Sequence, residues 1–203
     1  MAAAVSRRSL RRAVLPAALA LPLLLTACGG ADEAPSEPAS AASDAPAASG
    51  YNDTDVMFLQ MMIAHHKQGV EMAQVAADRA KRDDVRNLAA AVVATQKEEV
   101  KTMTSWLREW SKPTTSDHPP GMHTAHGGQP ATGPKEIKTL KRTKGAAFEP
   151  AFINLFVGHQ HNAVEMADME TSKGGNAEAK AFAKRVKESR TGQIRQLLAM
   201  LNS

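Results

Sequence analysis

The 203-residue chain has a single cysteine, Cys28, and few aromatic residues: five Phe, two Trp and one Tyr. One cysteine excludes a disulfide framework and any zinc module built on cysteines. Scarce aromatics and abundant Ala favour helices over sheets, and strand-like alternation is absent throughout. No Glu-x-x-His sequence occurs, so the paired motif of a di-iron carboxylate bundle is missing. No nucleophile elbow, phosphate-binding loop or Cys–His pair appears either, and the chain reads as a non-enzyme.

The chain also lacks a basic domain, although its net charge suggests one. It carries 25 Lys and Arg against 21 Asp and Glu, but Arg7, Arg8, Arg11 and Arg12 all lie in an N-terminal segment free of acids. Without those four, the balance is 21 against 21, which removes the electrostatic footprint of a nucleic-acid partner.

Those arginines open an export signal, expected over residues 1–27. Ala13 to Leu25 forms its apolar run, shorter than a membrane span. The run ends in Leu25-Thr26-Ala27-Cys28, which resembles the lipobox of bacterial lipoproteins. Cys28 is therefore expected to be lipidated and to anchor the protein to the outer face of the cytoplasmic membrane. Ser6-Arg7-Arg8-Ser9-Leu10 is also similar to a twin-arginine signal, and the sequence leaves the export route open. From Cys28 to Gly50 the chain has no large apolar residue and reads as a disordered tether.

What remains, residues 51–203, is an internal duplication. Phe58-Leu59, His65 and Val70-Glu71-Met72-Ala73 recur as Phe152-Ile153, His159 and Val164-Glu165-Met166-Ala167, always 94 positions later. Leu88, Val100 and Leu107 match Phe182, Ile194 and Leu201 at the same offset. Each repeat (53–110 and 147–203) reads as two helices, with Asp53 or Asp55 as a cap for the first and Asp83-Asp84 opening the second. Two such hairpins give an all-α, ferritin-like four-helix bundle with a pseudo-two-fold axis. Between the repeats lie a His-rich loop and a short helix expected over residues 134–144.

At 100° per residue, Phe58, Met62, His65, Gly69 and Met72 share one stripe of the first helix, with His66 beside it. Phe156, His159 and Met166 lie on the corresponding stripe of the third long helix, whereas His161 points to the polar side. In the second helix Gln96 and Glu99 interrupt the apolar arc that contains Met103, and in the last helix Arg190 and Gln193 take their places. A buried carboxylate needs a partner, and His65 and His66 are the nearest candidates.

Two readings follow. In the first, His65, His66, Met62, Met72, Glu99, Met103, His159 and Met166 form a soft-metal site, because imidazole and thioether suit Cu(I) and Ag(I) without cysteine. In the second, the same layer is a hydrogen-bonded polar core in which Glu99 pairs with Arg190 and the methionines fill gaps. A second metal tract is expected in the loop, where His118, Met122, His123 and His126 stand within nine residues.

The run Phe58-Leu59-x-x-Met62-Ile63-Ala64-His65-His66-x-x-Gly69-Val70-Glu71-Met72-Ala73 resembles the signature of the domain-of-unknown-function 305 family. Gln96-x-x-Glu99-Val100-x-x-Met103-x-x-Trp106-Leu107 is similar to its second-helix pattern, and Pro120-Gly121-Met122 and Gly145-Ala146-Ala147-Phe148 to its linker. The resemblance covers residues 51–203 and implies a ferritin-like bundle in an exported protein. It also implies copper, since some members are periplasmic copper-binding proteins that help resist it. Family copies often have Met and His-His in the second half, where this chain has Phe156 and His159-Gln160.

The expectation is thus an exported, lipid-anchored protein that binds copper for sequestration, delivery or resistance. Its partners are a metal ion and the membrane. The competing readings are a structural or interaction module with a buried polar network, and a metal-dependent oxidoreductase.

Overall fold

The computed structural model describes residues 50–115 and 132–202. The expected signal, Cys28, most of the tether, and the loop ligands His118, Met122, His123 and His126 lie outside the described residues.

Four long helices carry the fold: α1 (Asp53–Arg79), α2 (Asp83–Glu109), α4 (Phe148–Lys173) and α5 (Ala177–Leu201). The short α3 (Pro134–Arg142) and a 3-10 turn (Gly145–Ala147) precede α4. Among the described residues there is no strand, and no helix is long and apolar enough to cross a membrane. α1 pairs with α2 and α4 with α5, and the two hairpins meet chiefly through α1 against α4. The expected four-helix bundle is thus built with α1 and α4 flanking the pseudo-dyad.

Local chemistry explains the ends. Asn52, rather than Asp53 or Asp55, caps α1: its Oδ1 accepts from the Thr54 and Asp55 amides at 2.8 and 3.2 Å. Asp55 accepts from the Asn52 amide at 2.6 Å, completing a capping box. α3 stops at Arg142, two residues before the expected end, and Gly145 then takes a φ of 63°, a left-handed conformation suited to glycine.

The duplication extends to these ends. The Asp55 carboxylate accepts from the Gly175 and Asn176 amides at 2.9 Å each, at the start of α5. Ninety-four positions on, Glu149 accepts from the Lys81 and Arg82 amides at 2.5 and 3.0 Å, at the start of α2. Each repeat therefore satisfies the orphan amides of the other repeat's second helix, which ties the hairpins together.

The core is split. One apolar cluster holds Phe58, Met62, Met103, Leu107 and Phe182, and the other holds Met72, Val92, Phe152, Phe156 and Leu197. Ile137 and Leu140 dock α3 on the second of these. Along α1, residues up to Ile63 belong to one cluster and those from Met72 onward to the other. The break falls at His65, His66 and Gly69, at mid-helix, where a polar layer crosses the bundle.

Candidate metal centre

The polar layer consists of His65, His66, Gln96, His159, Gln160 and Arg190, all buried, with Glu99 reaching in from its edge. The 3.6-residue period puts the α1 and α4 imidazoles on the faces that meet at the dyad. There the rings of His65 and His159 stack, with centroids 3.6 Å apart and planes 9° from parallel. Phe156 stacks on the other side of His159 at 5.6 Å. The His65 Nε2–H donates to the His159 carbonyl oxygen at 3.0 Å, so Nδ1 of His65 carries the lone pair.

Three nitrogens of this pair, His65 Nδ1 and both ring nitrogens of His159, are buried without a hydrogen-bond partner among the described residues. Burial, reinforced by neighbouring histidines, holds His65 well below the ordinary imidazole range. Burial and the charges of His66 and Arg190 bring His159 down to about 3. Both rings are therefore neutral at neutral pH, and their lone pairs are available to a Lewis acid.

Gly69 makes the approach of the helices possible. A Cβ there would stand 2.3 Å from Gln96 Oε1 and 2.9 Å from His159 Nε2. The Gln96 amide is itself buried with neither its nitrogen nor its oxygen bonded among the described residues. Buried polar atoms left unpaired are costly in a protein interior, and two of them, Gln96 Oε1 and His159 Nε2, stand over Gly69.

The second part of the layer is joined by hydrogen bonds and an ion pair, although His66 Nδ1, Arg190 Nε and Gln160 Oε1 have no hydrogen-bond partner among the described residues. His66 Nε2 lies 2.8 Å from the Glu99 carboxylate, to which Arg190 Nη2 also donates. The same Arg190 nitrogen stands 3.3 Å from His66 Nε2. Burial lowers the His66 pKa despite the bond to Glu99. Burial would raise the Glu99 pKa, but the His66 bond and the Arg190 charge outweigh it and leave the carboxyl below its ordinary value. At the 94-residue offset, Gln160 bonds to Gln193, a neutral echo of His66 and Glu99.

The structure thus gathers the expected donors into two groups, His65 with His159 and His66 with Glu99. Met72 lies in the apolar cluster on one side of the layer and Met62 and Met103 in the cluster on the other, with Met166 half-buried against the latter. His161, Glu71 and Glu165 are exposed, as their helical phase predicts. Among the described residues, no three His, Cys, Asp or Glu side chains converge as a metal-ligating group. The donor chemistry fits a soft ion nonetheless: neutral imidazoles with free lone pairs, a cradle opened by glycine, and thioethers on the flanking helical turns. The stacked rings aim their lone pairs in nearly parallel planes, so sharing one ion requires a ring to turn.

A further acid was missed in the sequence. Glu170, fully buried, is the offset counterpart of Ala76, a core residue, and that polar substitution in the repeat was its signal. Burial and the adjacent Asp55 carboxylate raise its pKa to about 8.

The family described as domain of unknown function (DUF305) matches residues 55–201. The crystal structure of a DUF305 protein from Streptomyces coelicolor, provisionally named as secreted, is 29% identical. It superposes with a TM-score of 0.67 over 73% of this chain and 92% of its own. A DUF305 fragment from Deinococcus radiodurans is 24% identical, with a TM-score of 0.66 over 75% of this chain and 97% of its own. CopM in its Cu(I)-bound form is 21% identical, with a TM-score of 0.60 over 73% of this chain and 95% of its own. Among curated proteins, none matches this sequence.

Proposed function

Because the chain belongs to the DUF305 family, we propose that its bundle binds a soft metal ion, Cu(I) or Ag(I), for sequestration, delivery or resistance in the cell envelope. The observation that carries this reading is the pair of buried lone pairs, one on each of the neutral rings of His65 and His159, borne by nitrogens without a hydrogen-bond partner among the described residues. Such atoms cost stability unless something pairs with them, and a soft cation is the partner that neutral imidazole prefers. His65 and His159 would hold the ion. Met72 and Met166, each seven residues beyond its histidine on the same face, flank the pair from opposite sides of the layer. Met62, His66, Glu99 and Met103 make up the neighbouring donor set, in which Glu99 is already paired with His66 and Arg190. CopM, which shares the fold, has been solved with Cu(I) and with Ag bound, which supports the choice of metal.

The histidines bind and orient the ion and do not transfer protons, because burial keeps them neutral across the physiological range. We read the protein as a non-enzyme that is exported and held to the membrane through a lipid on Cys28. The loop donors His118, Met122, His123 and His126 add a weaker site, since ordering a flexible backbone costs about 1–2 kcal/mol per residue.

The test is competitive Cu(I) titration against a chromophoric chelator, using the full chain with Cys28→Ser and with His118, Met122, His123 and His126 changed to Ala. One tight site is expected to remain. A second reading, a packing layer with no metal, is favoured by the Arg190–Glu99–His66 and Gln160–Gln193 bonds. Absence of any tight site in that background would establish it.

A further inference from the structure

Arg190 breaks the symmetry of the layer. It is fully buried, the largest side chain to be so among the described residues. Its counterpart 94 positions earlier is Gln96, a neutral amide of the same helical register. Gln96 stays on its own side of the layer, against Gly69 and His159. Arg190 instead reaches from α5 across to the first repeat and donates to the Glu99 carboxylate while standing 3.3 Å from His66 Nε2.

His66 and Glu99 would otherwise form a donor pair for a cation. His66 Nε2 and Glu99 Oε2 are 2.8 Å apart, and Met62 and Met103 each lie four residues away on the same helical face. Both thioethers are buried in the adjoining apolar cluster. The set is imidazole, carboxylate and two thioethers, and its one formal charge is that of Glu99. Arg190 already neutralises that charge. A metal ion added beside Arg190 would place a second, uncompensated cation in a low-dielectric interior, where like charges at contact distance repel strongly. In the second repeat the corresponding pair is Gln160 and Gln193, which carries no charge to attract an ion.

We propose that Arg190 is a built-in cation that occupies the His66–Glu99 donor pair and excludes a metal ion from it, so that the bundle takes up metal only at His65 and His159. This inference sets the stoichiometry and rests on the metal-binding reading above, but its test separates the two. Arg190 is a positioning and exclusion residue and touches no bound metal itself.

The experiment titrates Ag(I) into the full chain carrying Cys28→Ser and the four loop substitutions, with bound ions counted by native mass spectrometry. Four proteins are compared: this parent, Arg190→Gln, Arg190→Lys, and Arg190→Gln with His66→Ala. The R190Q variant restores the Gln96-like residue and is expected to bind one ion more than the parent. The R190K variant keeps the charge and should match the parent. Adding H66A to R190Q should remove the extra ion. The proposal is overturned if R190Q binds no more than the parent, if R190K gains an ion, or if the extra ion survives H66A. A parent that binds nothing while R190Q gains a His66-dependent ion would remove the His65–His159 site and leave the role of Arg190 standing. A parent that binds one ion with R190Q unchanged would do the reverse. If circular dichroism shows that R190Q does not fold, Arg190→Leu, neutral and without a donor atom, replaces it in both arms.

Discussion

Gly69→Ala isolates the close approach on which the candidate site depends. Glycine inside a helix costs about 1 kcal/mol relative to Ala, so at an open position the substitution should stabilise. At Gly69 the new Cβ would stand 2.3 Å from Gln96 Oε1 and 2.9 Å from His159 Nε2. Both are far shorter than van der Waals contact, and both neighbours are buried. The Gln96 side chain can swing, but the His159 ring is held between His65 and Phe156. Overpacking of this kind costs about 1–3 kcal/mol, which exceeds the helix-propensity gain over most of that range. The expected net effect is a loss of about 1 kcal/mol, or a fall in Tm of about 2–4 °C for a domain of this size. Gly158 in α4 and Gly192 in α5 have open space where a Cβ would sit, and serve as controls. Gly158→Ala and Gly192→Ala should each raise Tm by a similar amount. Thermal unfolding of the three variants decides the matter. If Gly69→Ala stabilises as much as Gly192→Ala, the cradle argument is wrong. Its Cu(I) affinity should fall as well, because the displaced group is a proposed ligand.

Three further outcomes follow from the same geometry. Glu170, with a pKa raised to about 8 by burial and by Asp55, retains a proton in the folded state that the unfolded chain releases near its ordinary pKa of 4.5. Stability must therefore decline as pH rises through that interval. The buried histidines have lowered pKa values, so their contribution rises with pH only up to about their unfolded value of 6.5. Between pH 6.5 and 8 the Tm of the native chain should drop while that of Glu170→Gln stays nearly flat, and parallel slopes would remove the assignment. Glu99→Ala leaves Arg190 buried without its carboxylate and should cost about 3–5 kcal/mol, whereas Gln193→Ala removes a neutral hydrogen bond worth about 1 kcal/mol; equal losses by chemical denaturation would show that the Arg190–Glu99 charge pair carries no special weight. Cys28→Ser should move the protein from the membrane fraction to the soluble one, and unchanged retention would exclude lipidation as the anchor.

The fold was legible in the sequence because the duplication is strict. One offset of 94 aligned apolar residues and histidines alike, and a repeated amphipathic hairpin has few ways to bury both copies of its apolar face. The phases of α1 and α4 also foretold which histidines would be buried: His65, His66 and His159 are, and His161 is not. Gln96 and Glu99 were visible as polar residues inside an apolar arc. The relations that cross the dyad were harder to read. Helical phase put His65 and His159 on facing stripes, but the angle between their rings depends on side-chain torsions set by packing. The exchange of caps, Asp55 onto α5 and Glu149 onto α2, requires knowing that the hairpins run alongside each other. Asn52 took the capping role because its side chain reaches the Thr54 and Asp55 amides, leaving Asp55 free to span to the other repeat. Glu170 escaped notice because its counterpart, Ala76, is an unremarkable core residue; the comparison matters only once a carboxylate stands where the other repeat buries a methyl group.

The central claim is that His65 and His159 bind a soft metal as a pair. Competitive Cu(I) titration of His65→Ala, His159→Ala and His161→Ala tests it most directly, in the chain lacking Cys28 and the loop donors. The account predicts that the first two substitutions each weaken Cu(I) binding by at least about tenfold, equivalent to about 1.4 kcal/mol. His161→Ala, at an exposed position, should bind as its parent does. Parental affinity in His65→Ala and His159→Ala, with only their melting temperatures changed, would contradict the claim and leave the layer as a packing device.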